Sequence, residues 1–138
     1  MAFEKPANHA DLPHQVSVQS TISNHVCSAL IIHPLLLLSA ASCFRKGATQ
    51  PPYLVAIAGE HQQPELFKES GQILSATHVF ANKEYNITTF DNDIAILVLN
   101  QSLQIYDFVS PIQLPDPKWL LTGEKMFELQ LNSLRIWY

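Results

Sequence analysis

The chain has 138 residues, 47% of them hydrophobic and 14% charged, with a formal net charge of −4. That is room for one domain with a usable core, and the balance reads as globular, not disordered. The acidic sum leaves no basic footprint, so nucleic acid is not an expected partner, and an acidic or membrane surface is disfavoured for the same reason.

Residues 1–13 contain no apolar core of signal-peptide length. Gln15-Val16-Ser17-Val18-Gln19 alternates with period two and predicts the first strand. Residues 29–32 and 35–39 read as two further strands, joined at His33-Pro34, where proline stops a ladder. That break also leaves the apolar run 29–41 too short to span a bilayer. A loop over 45–52 carries Gly47 and a Pro51-Pro52 pair, and strands follow over 53–58, 72–80 and 94–99. Short β-rich segments closed by turn residues, with no helical period, predict an all-β sandwich or barrel. After Leu114-Pro115 the alternation is lost, and Met126-Phe127-Glu128-Leu129 fits strand or helix equally well.

Cys27 and Cys43 belong to no CxxC pair, and no His/Cys cluster has zinc spacing, so neither a metal nor a cofactor is expected. The two thiols either bridge a short loop or stay reduced in the interior, and composition leaves both open. A bridge closing a loop of this size is worth about 3 kcal/mol in the chain-entropy model, and it requires an oxidising compartment. A bridge without an export signal points to a chain whose N-terminus is incomplete.

A more specific pattern lies in the order of five blocks. Val26-Cys27-Ser28-Ala29-Leu30-Ile31, followed by Leu38-Ser39-Ala40-Ala41-Ser42-Cys43, resembles the segment around the catalytic histidine of trypsin-like serine proteases. Pro13-His14-Gln15-Val16-Ser17-Val18 resembles that family's first core strand, and Ala58-Gly59-Glu60-His61 resembles its Leu-Gly-Glu-His strand end. Phe90-Asp91-Asn92-Asp93-Ile94-Ala95-Ile96-Leu97 is similar to the block holding its catalytic aspartate, and Val109-Ser110-Pro111-Ile112-Gln113-Leu114-Pro115 to the stretch after its first barrel. One block alone would say little; five in family order are specific. The resemblance implies that residues 13–115 form a single antiparallel six-stranded Greek-key β-barrel, the first half of a two-barrel fold. Residues 1–12 would then be an arm lacking the Ile-Val-Gly-Gly activation motif, and residues 116–138 a divergent tail. It also implies a Cys27–Cys43 disulfide and an extracellular, secreted location.

The family's chemistry needs a histidine to take the serine proton, an aspartate to orient it, and backbone donors for the oxyanion. The resemblance places Asp93 at the aspartate position and Ser42 where the histidine should stand. A hydroxyl has no basic nitrogen and cannot accept a proton near neutral pH. Loss of the histidine alone costs on the order of a million-fold in kcat in a related mechanism. The nucleophile motif Gly-Asp-Ser-Gly-Gly is absent from these residues as well. None of His9, His14, His25, His33, His61 and His78 falls in a triad context. The expectation is therefore a non-catalytic serine protease homologue, inactive even as Ser42→His, with Asp93 a remnant that is solvated or accepts a local hydrogen bond. Two alternatives stand beside it: a truncated piece of a secreted serine endopeptidase, and an azurocidin-like defence protein, to which Ala40-Ala41-Ser42-Cys43-Phe44 is also similar. The net charge of −4 argues against the second.

Lesser signals remain. Glu60, Glu65 and Glu69 lie where some relatives hold calcium, but their irregular spacing fits a solvated hairpin better. Asn86-Ile87-Thr88 and Asn100-Gln101-Ser102 are N-glycosylation sequons, meaningful in an exported chain. A lone first barrel would expose the face that packs on the second, which predicts a protein partner or self-association.

Overall fold

The computed structural model describes residues 12–22, 24–45, 47–59 and 71–116. Six strands form in chain order: β1 (Gln15–Ser20), β2 (His25–His33), β3 (Leu36–Ser39), β4 (Leu54–Ala58), β5 (Gln72–Ala81) and β6 (Ala95–Leu99). All neighbouring pairs are antiparallel, and the sheet closes on itself in the order β1-β2-β3-β6-β5-β4. Two meanders, β1–β3 and β4–β6, are thus joined at both sides into one all-β barrel. Closure leaves no strand edge to template pairing with another chain.

The period-two pattern explains how the wall buries its core. In β1, Val16, Val18 and Ser20 point inward while Gln15, Ser17 and Gln19 alternate with them; in β6, Ala95, Leu97 and Leu99 do the same. Across the interior the large side chains Ile31, Leu37, Leu54 and Leu97 are interleaved with Ala29, Ala56, Ala58, Ala76 and Ala95. A barrel this narrow has no room for a leucine at every inward position, so the alanines are what allow the leucines to pack. Each fully buried leucine or isoleucine contributes about 1.5–3 kcal/mol relative to exposure.

The strand boundaries differ from the sequence expectation at one element. β2 begins at His25, four positions before the alternating run at Ala29. Its early residues pair with β1, Cys27 opposite Val18 and Ser28 opposite Ser17, and this long-range pairing extends a segment with little pattern of its own. Register shifts fall at Val18/Gln19, Ile31/His33 and Ala76/His78. Such irregularities bend strands around a small barrel.

Residues 100–116, after β6, add no strand but seal the barrel. Leu103 and Val109 are buried in the core. Backbone bonds run from Leu103 N to Pro34 O (2.8 Å), Ser110 N to Pro13 O (3.0 Å) and Ile112 N to Ile31 O (2.7 Å). The Gln72 side chain imitates a strand partner here: its Nε2 donates to Gln104 O and its Oε1 accepts from Gln104 N, both at 2.8 Å. The barrel lies within the compact unit that spans Asn8–Ile112. The expectations for residues 1–11, for Glu60, His61, Glu65 and Glu69, and for 117–138 lie outside the described residues.

Candidate functional site

The site arises where β3 ends and β6 begins. These strands pair antiparallel with Ser39 opposite Ala95, so the residues just after β3 meet those just before β6. Three residues past Ser39 stands Ser42, in a 3₁₀ turn over Ala41–Cys43; two residues before Ala95 stands Asp93. Strand register alone therefore brings the two together across 51 positions of sequence.

Their contact is two-pronged. The Ser42 backbone N–H donates to Asp93 Oδ1 at 2.7 Å, and the Ser42 hydroxyl donates to Asp93 Oδ2 at 2.8 Å. Both carboxylate oxygens thus accept from one serine, with both groups half-buried. Bonds to a charged acceptor are stronger than neutral ones, which offsets the cost of removing the carboxylate from bulk water.

Three features hold the turn that presents Ser42. Phe44 is buried in the core and its N–H donates to Ala41 O at 3.1 Å. Gln50 Nε2 donates to Phe44 O at 2.7 Å. Cys43 is bonded to Cys27 on β2, with a Cα–Cα distance of 5.9 Å that lies in the usual disulfide range. The disulfide implied by the resemblance is formed, and no described cysteine is free.

Asp93 is presented by the β5–β6 loop, residues 82–94, which is built from side-chain bonds to backbone. Asn82 Oδ1 accepts from Glu84 N at 2.8 Å, Asn86 Oδ1 from Thr88 N at 2.9 Å, and Asn92 Nδ2 donates to Glu84 O at 3.2 Å. Phe90 (φ 61°) and Asn92 (φ 57°) adopt the left-handed conformation just before Asp93. Asparagine tolerates it well; for phenylalanine it costs of order 1–3 kcal/mol, which the loop's bonds must hold in place. No sequence pattern announces that conformation at Phe90.

The described histidines lie elsewhere. His25 Nδ1 is 2.9 Å from Ser17 Oγ on the outside of the barrel, and Gln19 Nε2 donates to the same hydroxyl at 3.3 Å. Sequence reading missed this contact, because it depends on the long-range pairing that carries β2 back to His25 beside β1. His33 Nδ1 accepts from Leu35 N at 3.1 Å in the β2–β3 turn. His78 stacks on Phe80 with ring centroids 5.8 Å apart and Nδ1 3.0 Å from Thr77 Oγ1. Burial pushes the His14 imidazole below its ordinary value of 6.5. None of these rings touches Ser42 or Asp93. Among the described residues no group of three or more His, Cys, Asp or Glu side chains could hold a metal ion, and no helix is long and apolar enough to cross a membrane. Asn86 and Asn100 are both exposed, the first in the β5–β6 loop and the second directly after β6.

Chemically, the Ser42–Asp93 pair can bind and brace but cannot relay a proton. In the triad arrangement an imidazole gives one N–H to the carboxylate and offers a second, basic nitrogen to a nucleophile. Ser42 gives its only hydroxyl proton to Asp93 and has no second nitrogen to offer.

Comparison with known proteins gives the family. The family described as Trypsin matches residues 2–127. The chain is 30% identical over 109 residues to a protein named Trypsin from Phaedon cochleariae, covering 79% of this chain and 40% of that protein. It is 33% identical over 129 residues to Transmembrane protease serine 9 from Rattus norvegicus, covering 94% of this chain and 12% of that protein. The chain thus spans well under half the length of either relative.

Proposed function

The chain belongs to the trypsin-like serine protease family, and from that premise we propose that it is a non-catalytic member that acts by binding. The observation that carries this reading is the double hydrogen bond from Ser42 to Asp93. The resemblance assigns Asp93 to orient a histidine, and both of its oxygens are instead engaged by a residue that cannot accept a proton. In the resemblance the base belongs to the first barrel, so a longer chain would not by itself restore one at position 42. A nucleophile and oxyanion hole supplied by a second barrel would still face a hydroxyl.

The role left to such a module is recognition of another protein, including an active protease or a second copy of itself. Ile73 and Phe80 on β5 and Tyr106 and Phe108 after β6 are exposed large apolar side chains, which supports a surface that others cover. The disulfide supports passage through an oxidising, secretory compartment.

A second reading is favoured by the names of the relatives and by the fraction of each that the chain covers. Here the chain is part of a longer endopeptidase whose base comes from outside the Ser42–Asp93 pair. One assay separates the two. The longest natural product of the gene, purified free of other proteases, is offered peptides with arginyl, aromatic and small residues before the scissile bond. The non-catalytic reading predicts no inhibitor-sensitive hydrolysis above background; steady turnover that a serine-protease inhibitor abolishes would establish the endopeptidase reading in its place.

A further inference from the structure

From the β5–β6 loop we infer that Asn86 carries an N-linked oligosaccharide, which sits over the exposed apolar side chains of the loop that presents Asp93. The inference rests on the secretory reading above. Asn86-Ile87-Thr88 meets the chemical requirement for the acceptor. The structure adds how the folded loop receives the sugar.

Asn86 is the hub of the loop, yet its amide nitrogen takes no part in holding it. Its backbone N–H donates to Asp91 O at 3.0 Å and its backbone carbonyl accepts from Phe90 N at 2.8 Å. Its side-chain Oδ1 accepts from Thr88 N at 2.9 Å and Thr89 N at 3.2 Å. Nδ2 makes no bond to any described residue, and neither does the Thr88 hydroxyl. Residues 86–92 are all exposed.

The chemistry of transfer suits that division. Nδ2 attacks the anomeric carbon of an oligosaccharide carried on a lipid pyrophosphate. The N–C bond forms as the C–O bond to pyrophosphate breaks, the electron pair leaves with the lipid pyrophosphate, and the Nδ2 proton passes to a base on the transferring enzyme. The product keeps the amide carbonyl, so Oδ1 still accepts from Thr88 N and Thr89 N. The loop folds around a glycosylated Asn86 without losing a hydrogen bond.

A sugar here also accounts for the loop's surface. Ile87, inside the sequon, and Phe90, four residues after Asn86, are each 58% exposed, the most exposed of the loop's large apolar side chains. Exposed apolar side chains gathered in one loop are an association liability unless something covers them, and a glycan on Asn86, whose backbone carbonyl accepts from Phe90 N and which adjoins Ile87, is placed to shield both. It also stands on the loop leading to Asp93, at the approach to the Ser42–Asp93 pair.

The test is expression of the full chain behind an export leader in a eukaryotic secretory host, followed by intact-mass and peptide mapping before and after treatment with an N-glycan amidase. Formation of the Cys27–Cys43 bridge in the same material shows independently that the chain entered the oxidising compartment. The expected result is a glycan-sized mass increment on the peptide containing Asn86, removed by the amidase. It should be lost in Asn86→Asp, which keeps an oxygen acceptor for the two loop amides, and in Thr88→Ala, which leaves Asn86 itself intact. It should persist in Asn100→Gln. Because transfer is read by mass, neither variant needs to fold for the answer to count. Disulfide-bonded chain with Asn86 unmodified overturns the inference; material with no bridge and no glycan counts against the secretory reading on which it rests.

Discussion

The barrel wall and the corner where Ser42 meets Asp93 are held by different physics. In the wall, many apolar side chains share the work: Ile31, Leu37, Leu54 and Leu97 are fully buried, and each is backed by several others. At the corner, one carboxylate joins two segments through two polar bonds, supported by a disulfide and by a loop with two residues in the left-handed conformation. The wall needs only residues of the right size in the right alternation. The corner needs particular atoms. Under the proposed reading the corner, not the wall, is where one residue decides between catalysis and binding.

The largest effect expected lies in the wall. Leu97 is 0% exposed at the centre of β6, and Leu97→Ala should cost about 2–5 kcal/mol through lost burial and the cavity left behind. Denaturant unfolding would read it as a lower midpoint at unchanged slope. The comparison would break if this substitution cost less than the next one.

At the corner, Asp93→Ala leaves the Ser42 N–H and hydroxyl without their acceptor. Because the site is half-buried and water can reach it, the expected cost is about 1–3 kcal/mol, measured in the same unfolding experiment. A loss well below 1 kcal/mol would mean that Asp93 braces nothing and that the disulfide alone holds the turn.

The smallest effect concerns His14, beside β1. Burial lowers its folded-state pKa below 6.5, so the unfolded chain takes up the proton first as pH falls. Its contribution to stability is therefore complete above pH 6.5 and is lost as pH falls from there towards the folded-state value. His14→Gln should flatten the pH dependence of the unfolding free energy in that window relative to the parent chain. An unchanged slope would show that His14 is as well solvated folded as unfolded.

Much of the barrel was legible in the sequence because the wall's rule is local. Alternation marks β1 and β6, and Gly or Pro marks the connections after β2, β3 and β4, so all six strands were expected close to where they lie. The extension of β2 back to His25 was not legible, since it depends on pairing with β1. Nor was the Gln72–Gln104 clamp, which joins residues 32 positions apart. The corner was readable only by resemblance. Nothing in Ser42 or Asp93 taken alone announces their contact, which follows from the β3–β6 register. The positive φ of Phe90 was hidden for a further reason: phenylalanine has no local preference for it, and the loop's tertiary bonds impose it.

The proposed function requires that position 42 face Asp93 closely enough for a histidine there to pair with it, as the β3–β6 register implies. Substituting Ser42→His and following the new imidazole by NMR across pH tests it most directly. The account predicts a ring that titrates well above the ordinary 6.5, because the Asp93 carboxylate faces it and favours the charged form, and that returns towards 6.5 when Asp93→Asn is added. A ring titrating at or below 6.5 with Asp93 in place would contradict the account, since the two positions would then not meet.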